Sequence, residues 1–203
     1  MGGQMTPGAR PRALVERRAF VAELIGRCPE ALVVTGLGSP AYDVFAAGDR
    51  PQNFYLWGAM GGAASIGLGL ALAQPDRSVV VITGDGEQLM GLGSLATIGA
   101  KAPANLTIVV LDNGHYGETG MQRSHTSLGT SLVAVAKGVG IADAIEIHDL
   151  TLVSALVQRI VSRRGLAFAQ VFIEPYEPPK ALPPRDGVYV KNRFRQALGF
   201  GPL

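Results

Sequence analysis

With 203 residues the chain has room for one α/β domain with a sizeable core and little for a second independent unit. Hydrophobic residues reach 47%, and 27 glycines stand beside only 7 Phe, 5 Tyr and 1 Trp, a composition that suits a buried parallel sheet of aliphatic strands joined by tight turns. A net charge of +2 gives no case for nucleic acid, and the single cysteine, Cys28, excludes an intrachain disulfide or a cysteine-built metal cluster and fits a reducing cytoplasm.

Residues 1–11 lack an apolar signal region and read as a disordered lead. Leu14 to Ile25 has helical spacing and is expected to end near Gly26 and Pro29; Ala31 to Thr35 then reads as a short buried strand. Gly36 to Pro40 opens a brief helix, and Asn53 to Trp57 is a candidate strand. A small-residue helix spans Gly61 to Ala73; the apolar stretch around it, from Gly58, is about 16 residues and short of the ~20 that cross a bilayer. Ser78 to Thr83 is the clearest strand, an apolar run bounded by turn signals. After it come a helix over Gln88 to Ala100, a strand over Leu106 to Leu111, a helix over Leu132 to Val139 and a strand over Ala144 to Ile147. Asp149 caps the next helix, which runs through Arg163, and Ala167 to Ile173 is the last strand. This alternation predicts a single doubly wound, mostly parallel sheet with helices on both faces over residues 12–174. Residues 175–203 read as a proline-rich extension whose basic residues Lys191, Arg193 and Arg195 face solvent or another subunit.

Ligands of an open parallel sheet bind at the carboxyl ends of its strands. Two such ends carry polar residues among glycines: Gly84-Asp85-Gly86-Glu87, and Asp112-Asn113-Gly114-His115-Tyr116-Gly117. Asp85 and Asn113 stand 28 positions apart, the length of one strand-helix-strand step, so both arrive at one edge of the sheet on neighbouring or near-neighbouring strands. A carboxylate and an amide carbonyl suit a hard cation such as Mg²⁺, which takes oxygen ligands and usually shares them with phosphate. Gly84 and Gly86 permit close backbone approach to a diphosphate. An Asp-Gly pair after a strand is by itself most often only a turn; Asn113 at the right spacing is what changes the reading.

Gly84-Asp85-Gly86, 26 residues and then Asn113 resemble the signature of thiamine-diphosphate-dependent enzymes, with Asp112 where the first of two asparagines usually stands. Trp57 to Gly62, Leu89 to Ser94, Pro103 to Leu106 and Tyr116 to Gln122 are similar to the sulfopyruvate and phosphonopyruvate decarboxylase branch of that family. The resemblance covers roughly Ala31 to Ile173. It implies that Asp85, Asn113 and the backbone carbonyl of His115 ligate Mg²⁺, and that Gly38, Ser39, Gly84, Gly86 and Glu87 meet the diphosphate. It further implies that Met60 wedges beneath the bent cofactor, that the Gly58 carbonyl receives its amino group, and that Tyr116 and Gly117 complete the binding set. His115, His125 and Gln122 become candidates for contact with substrate or proton exchange, and Arg123 for an anionic substrate group. The cofactor would carry the chemistry on a small 2-oxo acid, the protein supplying orientation and electrostatics. The family's activating glutamate belongs to a pyrimidine-binding domain that this chain has no room for before residue 31, so a partner alpha subunit is expected to bring it.

Rival readings differ in class. Gly36-Leu-Gly-Ser-Pro-Ala41 matches a dinucleotide fingerprint after a strand, although no strand ends in the acidic residue expected about 20 positions later. A thiamine-dependent 2-oxo acid oxidoreductase subunit and a carboligase would keep the cofactor and change the chemistry.

Overall fold

The computed structural model describes residues 14–201; the expected lead over residues 1–11 lies outside them. Val15 forms a parallel bridge to Ile173, and Glu16 caps α1 (Arg17–Gly26) by accepting from the amides of Arg18 and Ala19. The helix therefore starts three residues later than periodicity suggests, because its first apolar residues extend the sheet instead. There follow β1 (Leu32–Thr35), α2 (Ser39–Ala46), β2 (Asn53–Tyr55), α3 (Ala63–Ala73) and β3 (Val79–Gly84). The segment expected as one helix after β3 is two, α4 (Asp85–Met90) and α5 (Ser94–Lys101). The chain turns between them where Gly91 meets the backbone of Gly61, and Ser94 Oγ donates to the Gly91 carbonyl at 2.6 Å.

Next come β4 (Leu106–Asp112) and a small antiparallel hairpin of β5 (His115–Tyr116) and β6 (Gln122–Arg123), which sequence periodicity does not announce. Then α6 (Leu132–Gly138), β7 (Asp143–Ile147), α7 (Val153–Ser162), β8 (Ala167–Phe172) and α8 (Gly187–Ala197) complete the chain. Asp149 caps a 3₁₀ turn, Leu150–Leu152, that leads into α7.

The main sheet has the order β2-β1-β3-β4-β8-β7, every neighbouring pair parallel. Its strands alternate between two apolar cores. Val33, Val80, Ile82, Val109 and Leu111 pack toward Phe20 and Leu24 of α1, Val44 of α2 and Leu156 of α7. Leu32, Val34, Val81, Ile108 and Val110 pack toward Ala64 of α3, Ile98 of α5, Leu132 of α6 and Phe194 of α8. Burial on both faces is why these strands read as continuous aliphatic runs.

The segment after β8 is part of this body. Trp57 Nε1 donates to the Pro184 carbonyl at 2.9 Å, and the Phe194 ring meets Phe54 with centroids 5.5 Å apart. Arg193, expected in a solvated or subunit-facing tail, pairs with Asp49 at 2.5 Å and lies over the rings of Tyr55 and Tyr189. Among the described residues no helix is long and apolar enough to cross a membrane.

Candidate functional site

The sheet order reverses between β1 and β3: the chain leaves β1 for β2 on one side, then returns to β3 on the other. Such a switch point leaves a crevice beyond the strand ends where two loops diverge. Here a cleft opens there, walled by Ser39 and Pro40 after β1, Gly84 to Glu87 at the end of β3, Asn113 and His115 to Glu118 after β4, and Met60. Gly84 and Leu111 are register partners of β3 and β4, so Asp85 and Asn113 leave adjacent strands at nearly the same level.

Asp85 is buried, and Oδ2 receives the Ser124 hydroxyl. Thr126 Oγ1 lies 3.2 Å from Asp85 Oδ2 and 2.9 Å from Asp112 Oδ1, so its proton serves two carboxylates. Asp112 in turn accepts from the Gly114 amide at 2.8 Å and from Gln170 Nε2 at 2.6 Å. Asp112 thus anchors the β4 loop against β8, and Asp85 is the carboxylate of the pair that lines the cleft. Asn113 also lines it; its Oδ1 accepts from the His115 amide at 2.8 Å in a local turn that fixes the side chain. The His115 ring is held the same way, with Nδ1 2.8 Å from the Asn113 carbonyl.

Glu87 ties three loops together. Oε2 accepts from the Leu37 amide at 3.0 Å and from Thr83 Oγ1 at 2.9 Å, and Oε1 accepts from the Gly61 amide at 3.3 Å. A Cβ at position 36 would stand 1.7 Å from Oε2, so only glycine lets the loop after β1 close on this carboxylate. Burial pushes the Glu87 carboxyl above the ordinary range, against the opposing pull of its hydrogen bonds from Thr83 and the amides of Gly61, Leu37 and Ala63. This also bears on the dinucleotide fingerprint: the Leu37 amide inside it donates to Glu87 rather than standing open for a pyrophosphate.

Of the residues expected in a site, Ser39, Met60, Gly84, Asp85, Gly86, Glu87, Asn113, His115, Tyr116 and Gly117 share the cleft. Met60 is 39% exposed there, which sets it apart from a core methionine. Gly38, Gly58, Gln122 and His125 are not part of the wall. Gly38 lies against the Glu118 carboxylate, and Gly58 has φ of 74° in the loop before Met60. Gln122 is exposed and bonded both ways to Thr119, at 3.0 and 2.8 Å. His125 Nδ1 is 3.0 Å from Tyr116 Oη, and Arg123 is exposed and bonded to Ser127. Ser124, Thr126 and Gln170 have no motif to announce them; the only hint was two hydroxyl residues flanking His125. Arg17, the first residue of α1, also lines the cleft.

The donor set fits a magnesium diphosphate. Beside Glu87, whose oxygens are taken by the loops around it, it offers one buried carboxylate, Asp85, and one amide, Asn113, both oxygen donors, and among the described residues no group of three His, Cys, Asp or Glu gathers into a metal cage. At position 86 a Cβ would stand 2.6 Å from the Tyr116 ring, so glycine there lets that ring pack against the start of α4.

Residues 41–171 match the family model described as thiamine pyrophosphate enzyme, C-terminal TPP binding domain. Sulfopyruvate decarboxylase subunit beta of Methanothermobacter thermautotrophicus is 40% identical over 181 residues, which take in 89% of this chain and 94% of that one. Phosphonopyruvate decarboxylase of Streptomyces viridochromogenes is 47% identical over 142 residues, 68% of this chain and 35% of that protein. The chain thus aligns with nearly the whole of the one and about a third of the other. Among solved structures, 2-oxoglutarate:ferredoxin oxidoreductase from Magnetococcus marinus superposes with a TM-score of 0.62 at 18% identity, covering 98% of this chain and 80% of that one, a likeness of fold alone.

Proposed function

The chain belongs to the thiamine pyrophosphate enzymes, through their C-terminal cofactor-binding domain, and we propose that it is the diphosphate- and Mg²⁺-binding subunit of a two-subunit 2-oxo acid decarboxylase of the sulfopyruvate or phosphonopyruvate type. The observation that carries this reading is the arrival of Asp85 and Asn113 at one cleft from the ends of adjacent parallel strands.

Thiamine diphosphate, when bound, supplies the electron sink that decarboxylation of a 2-oxo acid requires. The residues of this chain hold and orient it. Asp85, Asn113 and the His115 carbonyl ligate the metal, with Ser124 and Thr126 fixing the Asp85 carboxylate in one orientation. The backbone at Gly84, Gly86 and Glu87 meets the diphosphate from one side and Ser39 from the other. Glu87 acts through its side chain as well, holding the loops of Leu37 and Gly61 at a fixed separation. Met60, exposed in the cleft, would support the cofactor's apolar side. His115, which lines the cleft, is the candidate for proton exchange, while His125 connects to the cleft through Tyr116.

Two facts support a partner chain. The cleft encloses about 100 Å³, well below the ~300–1,000 Å³ of a complete ligand pocket, so it accommodates part of the cofactor and leaves the rest for another surface. The phosphonopyruvate decarboxylase relative is also about three times as long as the region shared with it. The partner would bring the activating glutamate and the remaining wall of the substrate pocket.

The test is to co-express the chain with candidate partner subunits and to assay the purified complex on a panel of 2-oxo acids with Mg²⁺ and thiamine diphosphate. Release of CO₂ and aldehyde from sulfopyruvate or phosphonopyruvate is the expected result. Acyl-CoA formed only with an electron acceptor would replace the decarboxylase reading by an oxidoreductase one.

A further inference from the structure

Arg17 opens α1 and is 2% exposed. Its Nε donates to Asp43 Oδ2 at 2.7 Å, and Asp43, wholly buried, is also approached by Arg18 Nε at 3.5 Å. The opposite nitrogen, Nη1, is buried and has no hydrogen-bond partner. A guanidinium donor left unpaired out of water is destabilising by roughly 1–3 kcal/mol or more, so such an atom calls for a ligand. Arg17 lines the cleft, and among the described residues it is the only lysine or arginine to do so.

The charge balance of the cleft points the same way. Asp85 and Glu118 are its neighbours in the wall, and a diphosphate would add more negative charge than one Mg²⁺ offsets. If Arg17 served only Asp43, a single charged nitrogen would be enough. A guanidinium instead presents a rigid fork of donors suited to bridging a carboxylate and a phosphate at once. Through Asp43, Arg17 is tied to α2, the helix that begins at Ser39, one of the residues assigned above to the diphosphate.

We propose that Arg17 is a cofactor-binding residue whose Nη1 donates to the terminal phosphate of the diphosphate, while Nε holds Asp43. This rests on the cofactor reading above. Asp43 is then a positioning residue that sets the guanidinium plane.

The test is calorimetric titration of the full-length chain, with Mg²⁺, against thiamine diphosphate and thiamine monophosphate, which lacks the terminal phosphate. Two variants are compared with the wild type. Arg17→Lys keeps a cation for Asp43 and removes the fork. Arg17→Met with Asp43→Asn removes both charges together, so no carboxylate is left buried and unpaired, and circular dichroism verifies the fold. The wild type is expected to prefer the diphosphate. Both variants should lose affinity for it by about tenfold or more, with less than about a twofold change for the monophosphate, so that the preference shrinks. Variants that fold and keep the wild-type preference would overturn the role of Arg17 and leave the cofactor reading intact. The same titrations are made on the chain co-purified with its partner subunit; a wild-type complex that binds neither compound with Mg²⁺ would overturn that reading, and this proposal with it.

Discussion

The Ser124 hydroxyl donates to Asp85 Oδ2 across 39 positions of chain, and the Ser124 amide donates to the Gly114 carbonyl at 2.8 Å. One residue beyond the β5–β6 hairpin thus locks the carboxylate after β3 to the loop after β4. The two halves of the proposed metal site are joined through a side chain that ligates nothing itself.

Ser124→Ala should therefore weaken Mg²⁺-dependent retention of thiamine diphosphate by about 10–100-fold, the usual effect of losing a group that orients a metal ligand. Thermal unfolding of the ligand-free chain should change little by comparison, and calorimetry together with melting curves separates the two effects.

Glu87 is a buried carboxylate that accepts from Thr83 and from the amides of Leu37, Gly61 and Ala63, with a proton affinity raised by burial. Glu87→Ala should destabilise the fold by about 3 kcal/mol, since it leaves the Leu37 and Gly61 amides and the Thr83 hydroxyl without an acceptor. Glu87→Gln keeps an acceptor oxygen and removes the charge. Because the folded-state pKa lies above the unfolded value, the folded protein binds the proton more tightly, and the resulting stability is full at acid pH and lost as pH rises through the folded value. The melting temperature of Glu87→Gln relative to wild type should accordingly climb as pH rises from 4 toward neutrality. A difference that stays flat with pH would mean that Glu87 titrates normally.

The inner strands β1, β3 and β4 were legible in the sequence because burial on both faces makes them nearly unbroken aliphatic runs, and the spacing of Asp85 and Asn113 was legible because one strand-helix-strand step has a characteristic length. Other features depend on contacts that spacing does not encode. The break between α4 and α5 comes from Gly91 meeting Gly61, and the hairpin strands are two residues each, too short for a periodic pattern. Ser124, Gln170 and Arg17 reach Asp85, Asp112 and Asp43 from 39, 58 and 26 positions away. The C-terminal helix was hidden by the prolines before it and by a face that buries only Val190 and Phe194.

That helix is a further point of test. Phe194 is nearly buried against Phe54 and belongs to the core that also holds Leu32 and Val81. Phe194→Ala should cost about 3 kcal/mol by urea unfolding, in the range of large-to-small core substitutions. A cost near zero would mean that residues 187–197 are not integral to the domain.

The most direct test of the proposed site is a double-mutant cycle on thiamine diphosphate affinity in Mg²⁺, with Asp85→Ala, Asn113→Ala and both together. If the two side chains share one ion, each single change should lower the Mg²⁺-dependent affinity by at least about 100-fold, beyond what an orienting residue contributes. The double change should then add little to either, because the ion is already lost. Full retention by either single variant, or losses that simply add, would contradict a shared magnesium ion at Asp85 and Asn113.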